Sequence, residues 1–94
     1  MITHRPDSNH KIIIAHLRGV PALELIDTSQ YGGLGCDCII LFREHVYFVE
    51  IKTDERSWKL TPSEERLQAL CARTGCIFII AEDSETVLRA IGAI

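Results

Sequence analysis

Asp37 is followed after twelve residues by Glu50, and Lys52 stands two positions beyond. Two carboxylates brought to one place repel each other, which raises a pKa unless a cation such as Mg²⁺ is shared between them. An ammonium beside such a pair lies next to the metal and completes a charged cluster. That chemistry needs all three side chains to meet, so the question passes to the elements that carry them.

Asp37 to Phe42 (DCIILF) and Val46 to Lys52 (VYFVEIK) are rich in strand-forming residues and are separated by Arg43, Glu44 and His45, a connection short enough for an antiparallel hairpin. With pairing roughly symmetric about Glu44, Asp37 falls close to Glu50 or Ile51. Alternation along the second strand puts Glu50 and Lys52 on one face with Val46 and Phe48, and Tyr47, Val49 and Ile51 on the other. Two charges therefore end an otherwise apolar face, an expensive placement unless they pair or hold a metal.

The flanking elements follow from punctuation. Residues 1–9 read as a loose polar leader. His10 to Arg18 reads as a short helix in preference to a strand, and Gly19-Val20-Pro21 ends it. Ala22 to Asp27 is a short strand leading into the loop TSQYGGLG, whose Gly32, Gly33 and Gly35 suit tight turning or close backbone approach to a ligand. Thr61-Pro62-Ser63-Glu64 combines an N-cap, proline at the first helical position and a capping-box glutamate, so a helix runs from there to about Thr74 and stops at Gly75. Cys76 to Ala81 (CIFIIA) has the pattern of a strand covered on both faces, and Asp83 or Ser84 caps a last helix through Ile91. The expected class is α/β, with a central mixed β-sheet flanked by helices.

Gly35-x-Asp37 followed by Glu50-Ile51-Lys52 resembles the D…(D/E)-x-K signature of the PD-(D/E)XK nuclease superfamily. From about Gly33 to Gly92, some two thirds of the chain, the succession of an aspartate strand, FVEIK, a polar loop, LTP opening a helix, and CIFIIAEDSETVLRAI is similar to the VRR-NUC branch. The resemblance implies a restriction-endonuclease-like core and a Mg²⁺- or Mn²⁺-dependent endodeoxyribonuclease. By position, Asp37 and Glu50 would bind the metal with the Ile51 carbonyl as a further ligand, and Lys52 would orient the attacking water or stabilise developing charge. It also implies DNA, duplex or branched, as substrate. Stand-alone relatives of phage or prophage type suggest structure-selective cutting, including Holliday junctions.

The match departs from the family pattern in places. Cys36 stands where a proline usually precedes the aspartate. Where the family often has a glutamine early in the helix, the aligned residue is Glu64, with Gln68 one turn later, and either would serve the site. On a helical wheel Glu64 shares a stripe with Leu67 and Cys71 and should face inward. The competing role for Glu64 is the capping box, and the two roles conflict for a single carboxylate. The family's acidic residue near the N-terminus has no clear counterpart, with Glu24 and Asp27 as candidates. For Asp37, Glu50 and Lys52 themselves the bland reading is a structural ion pair on a frame without activity, which would make the chain a nucleic-acid-binding or assembly module.

Arg56, Trp58 and Lys59 cluster after the catalytic strand, where a basic pair and an aromatic would meet a phosphate backbone and an unstacked base; a solvated loop with Trp58 in the core is the alternative. His45, in the hairpin turn, is the one histidine placed to touch DNA. Cys36, Cys38, Cys71 and Cys76 are read as reduced small hydrophobes, their spacing being poor for zinc.

A chain of 94 residues suits one domain, 1–94. No apolar run approaches the ~18 to 20 residues of a membrane span, and no signal-like segment opens the chain, so the expected location is cytoplasmic. The net charge of -3 argues against coating nucleic acid by charge alone, so DNA contact must use a local basic patch. A domain this small offers little grip on a duplex, and a homodimer with two active sites across a two-fold is expected.

Overall fold

The computed structural model describes residues 8–53 and 59–94. Their order is α1 (Ser8–Arg18), β1 (Leu23–Asp27), β2 (Cys38–Phe42), β3 (His45–Ile51), α2 (Pro62–Thr74), β4 (Ile77–Ala81) and α3 (Ser84–Ala90). The fold is α/β. Its four strands form one mixed sheet in the order β1-β2-β3-β4, antiparallel except for the parallel β3–β4 pair. Parallel neighbours need a crossover, and α2 provides it.

Each element begins or ends where its residues require. The Thr61 hydroxyl accepts the Glu64 amide at 3.3 Å while the Glu64 carboxylate accepts the Thr61 amide at 2.9 Å, closing the capping box. Gly75 ends α2 in the left-handed region at φ 80, and the Asp83 carboxylate caps α3 by accepting the Thr86 amide at 2.8 Å. The N-terminal segment differs from the sequence reading at its edge: Ser8 and Asn9 already belong to α1, so the helix begins two residues before His10.

Helices α1 and α3 pack on one face of the sheet and α2 on the other. Ile13, Ile14 and Leu17 of α1 form one buried stripe at helical spacing and meet Val87 and Ile91 from the α3 segment over Cys38, Ile40, Tyr47 and Val49. In the β2–β3 hairpin Phe42 pairs with His45, so the connection is the two residues Arg43 and Glu44 and His45 opens the strand. Both turn residues have positive φ, 51 and 69, the pattern of a type I′ turn, which matches the strand twist but favours asparagine and glycine. The Arg43 guanidinium lies 4.7 Å from the Phe42 ring centroid and donates to the Gly92 carbonyl at 3.2 Å, ties that help hold the conformation.

Because a non-glycine residue in the left-handed region costs roughly 1 to 2 kcal/mol, Glu44→Gly should raise stability by about 1 kcal/mol in a urea melt. A neutral or negative change would show that the turn carries no such strain.

Candidate active site

The hairpin register ends at Cys38↔Val49, and the Asp37 amide also donates to the Val49 carbonyl at 2.9 Å, which holds Asp37 at the end of the hairpin that carries Glu50. Asp37 is fixed further by its own side chain, whose Oδ2 accepts the Ile51 amide at 2.7 Å. Thr28, 3 % exposed, ties the preceding loop down: its amide donates to the Asp37 carbonyl and its hydroxyl to the Cys36 carbonyl, each at 2.9 Å.

Glu50 is 4 % exposed. The Lys52 ammonium lies 3.4 Å from its Oε2 and 3.1 Å from Glu64 Oε1, so Lys52 joins β3 to the first turn of α2. Tyr47, Val49 and Ile51 point into the core on the opposite face, as alternation predicts. The same Glu64 oxygen that receives Lys52 also receives the Thr61 amide. The two roles set against each other for Glu64 are therefore compatible, since a carboxylate offers about four lone-pair sites.

The electrostatics follow from this crowding. Burial, the Asp37 charge and contact with the Glu64 carboxyl push the Glu50 pKa up to about 9. Burial also raises Glu64, but the Thr61 amide, Glu50 and Lys52 outweigh it and lower its pKa overall. Glu50 thus holds the proton that the pair shares. Burial works against the Lys52 ammonium, yet its contacts with Glu64 and Glu50 raise its pKa, so Lys52 remains charged and acts as a donor rather than as a base.

Gly35 has φ 105, and a Cβ there would lie 2.5 Å from the Ser63 carbonyl oxygen and 2.8 Å from the Leu67 Cβ. Its close approach is to α2, the helix that presents Glu64, instead of to a ligand. Sequence reasoning alone does not single out Thr28 or Gly35 as a site residue; the Gly35-x-Asp37 spacing is the visible trace of the second.

Other expected site residues stand apart. Gln68 is exposed one turn along α2, and no hydrogen bond or ion pair among the described residues ties it to Glu50 or Lys52; Glu64, at the start of the helix, occupies the position the glutamine would need. Lys59 is exposed, while Arg56 and Trp58 lie outside the described residues. His45 sits at the turn end of β3, the far end from Glu50, beside Tyr47. Glu24 is exposed on β1. Asp27 is nearer to Asp37, but its Oδ1 is engaged by the Ser29 amide at 3.0 Å and hydroxyl at 2.6 Å. Cys36, Cys38 and Cys71 are buried, Cys76 is exposed, and burial pushes the Cys38 thiol up to about 12, as befits inert core thiols.

Compared with family models, curated proteins and solved structures, the chain matches none. No helix among the described residues is long and apolar enough to cross a membrane.

Two outcomes follow in metal-free solution. A carboxyl whose folded pKa is raised stabilises the fold fully below its unfolded value near 4.5, and loses that contribution as pH rises through about 9. Glu50→Gln should therefore gain stability relative to wild type progressively from pH 5 to pH 9, read from denaturant melts; a constant difference across that window would contradict the raised pKa. Gly35→Ala, which forces a Cβ into α2 at a positive φ, should cost about 3 kcal/mol in the same assay.

Proposed function

We propose that this chain is a divalent-metal-dependent nuclease acting on phosphodiester bonds in DNA, built on a restriction-endonuclease-like frame. The observation that carries the reading is the convergence of Glu50 and Glu64 on Lys52 at one end of a buried hairpin, with Asp37 close enough to act on Glu50, which burial and the neighbouring negative charge force to keep a proton. A cluster arranged only for stability gains nothing from an extra buried carboxyl, since replacing such groups with apolar ones is often neutral or favourable. The resemblance of Asp37, Glu50 and Lys52 to the PD-(D/E)XK signature points the same way.

The donor set suits Mg²⁺ or Mn²⁺. Among the described residues no group of three or more His, Cys, Asp or Glu side chains is disposed to hold a metal. Mg²⁺, however, keeps several waters and commonly takes one or two carboxylates. Asp37 and Glu50 would be those carboxylates, with the Ile51 carbonyl as a backbone ligand. When bound, the ion supplies a hydroxide-like nucleophile and offsets charge building on the phosphate.

The chain's own groups do the rest. The Ile51 amide holds one Asp37 oxygen and leaves the other for the ion. Lys52, kept protonated and held by Glu50 and Glu64, orients water or donates to the phosphate oxygens as their charge grows. Glu64 fixes Lys52 and takes the place of the family's glutamine as a positioning residue. The proposal includes a homodimer, supported by the neighbouring apolar side chains Ile26, Leu41 and Val46, which are 48 %, 39 % and 46 % exposed on one sheet face. A branched substrate such as a four-way junction belongs to the same reading.

A second reading has one observation in its favour: Lys52 is already paired twice within the protein, so the cluster is also consistent with a non-catalytic binding module.

Labelled four-way junction, duplex and single-stranded DNA incubated with Mn²⁺ or Mg²⁺ separates the two. The nuclease reading predicts metal-dependent cutting that falls at least ~100-fold in Lys52→Ala, a typical loss for a positioned proton donor, and that disappears in Glu50→Ala. Intact DNA in every arm, with wild type folded, would leave the binding module.

A further inference from the structure

A cleft of about 850 Å³ opens between α1 and the segment that follows β1, and Asp37 forms part of its wall. We infer that this cleft takes the nucleic-acid strand next to the reacting phosphate, with Lys11 and Arg18 of α1 holding its backbone phosphates. The inference rests on the nuclease reading and names the surface by which that site would grip its substrate.

Ile13, Ile14 and Leu17 turn one side of α1 into the core. Lys11 and Arg18 are exposed and both line the cleft. They stand seven residues apart, which is close to two full turns, so they share one face at an axial distance of ~10 Å. Along one strand of a B-form duplex a negative charge recurs about every 3.4 Å of axis, so the two cations lie about three phosphate steps apart.

A second feature points to a polar occupant. The His10 ring also lines the cleft, and its Nε2 is withdrawn from solvent with no hydrogen-bond partner among the described residues. A buried polar atom without a partner is uncommon, and a polar ligand beside it would relieve the cost. Of the acidic groups on the wall, Asp27 is held by Ser29 and lowered in pKa chiefly by that contact, with His10 and Arg18 adding to the effect. Asp37 belongs to the proposed metal pair. The cleft therefore offers a strand two cations along one side and touches the candidate active site at Asp37. Lys11 and Arg18 are the two cations of the cleft, set against the Asp27 and Asp37 carboxylates on the same wall.

The test is cleavage kinetics on a labelled DNA duplex and its single strand, using the full chain with Mn²⁺. Lys11→Glu and Arg18→Glu should each raise KM roughly tenfold with little change in kcat, and flatten the plot of log affinity against log salt by about 0.9 for each phosphate no longer neutralised. Lys11→Ala and Arg18→Ala should move in the same direction by less, which guards against a folding defect in the charge reversals. Arg73→Glu, at the far end of α2, should leave both constants unchanged. If the α1 variants cut with wild-type KM, or if Arg73→Glu loses as much as they do, the cleft assignment is wrong while the nuclease reading stands. If wild type neither binds nor cuts any strand, both fail together.

Discussion

The register of the β2–β3 hairpin is the constraint on which the rest depends. Side chains alternate with a period of two, so a slip of one residue would carry Glu50 and Lys52 into the core and bring Val49 and Ile51 out of it. The two-residue turn at Arg43 and Glu44 and the apolar set Cys38, Ile40, Tyr47 and Val49 select the same register, and that register brings Asp37 to the end of the hairpin that carries Glu50. The backbone conformation of the turn is unfavourable for arginine and glutamate, and agreement between turn geometry and burial is what outweighs it.

From that register the charged cluster is assembled by parts distant in sequence. Thr28 holds the backbone carbonyls on either side of Asp37, the Ile51 amide holds the Asp37 carboxylate, and Gly35 lets α2 approach closely enough for Glu64 to reach Lys52. The capping box is part of this assembly. By fixing the first turn of α2 it also fixes the Glu64 oxygen that Lys52 needs, so a local rule of helix initiation and a long-range ion pair use one atom. The unfavourable member is Glu50, whose burial is offset only in part by Lys52. Such a group is a structural liability that a bound cation would turn into an attraction.

Much of this is legible in the sequence because the signals are local. The capping box at Thr61, the stop at Gly75 and the strand alternation of VYFVEIK each rest on a few neighbouring residues, and all are present in the fold. The meeting of Asp37 with Glu50 is also readable, since a short hairpin converts sequence symmetry into proximity. What escapes are features set by tertiary approach. Gly35 looks like a turn or ligand glycine, and only its distance from Ser63 reveals a packing role. Gln68 and Glu64 lie one turn apart, and although helical periodicity turns Glu64 inward, it does not say that Lys52 is what it meets there. The placement of Lys11 and Arg18 on the cleft is likewise set by packing, since the burial of Ile13, Ile14 and Leu17 is what leaves them on that side of α1.

The central claim is that Asp37 and Glu50 form a divalent-cation site. Titrating isotopically labelled protein with Mn²⁺ tests it directly, because a paramagnetic ion erases the amide signals of the residues around it. The account predicts that Asp37, Ile51 and Lys52 fade first in wild type and survive in Glu50→Gln. Broadening that begins instead at exposed acids such as Glu82 and Glu85, or that is the same in wild type and Glu50→Gln, would contradict it.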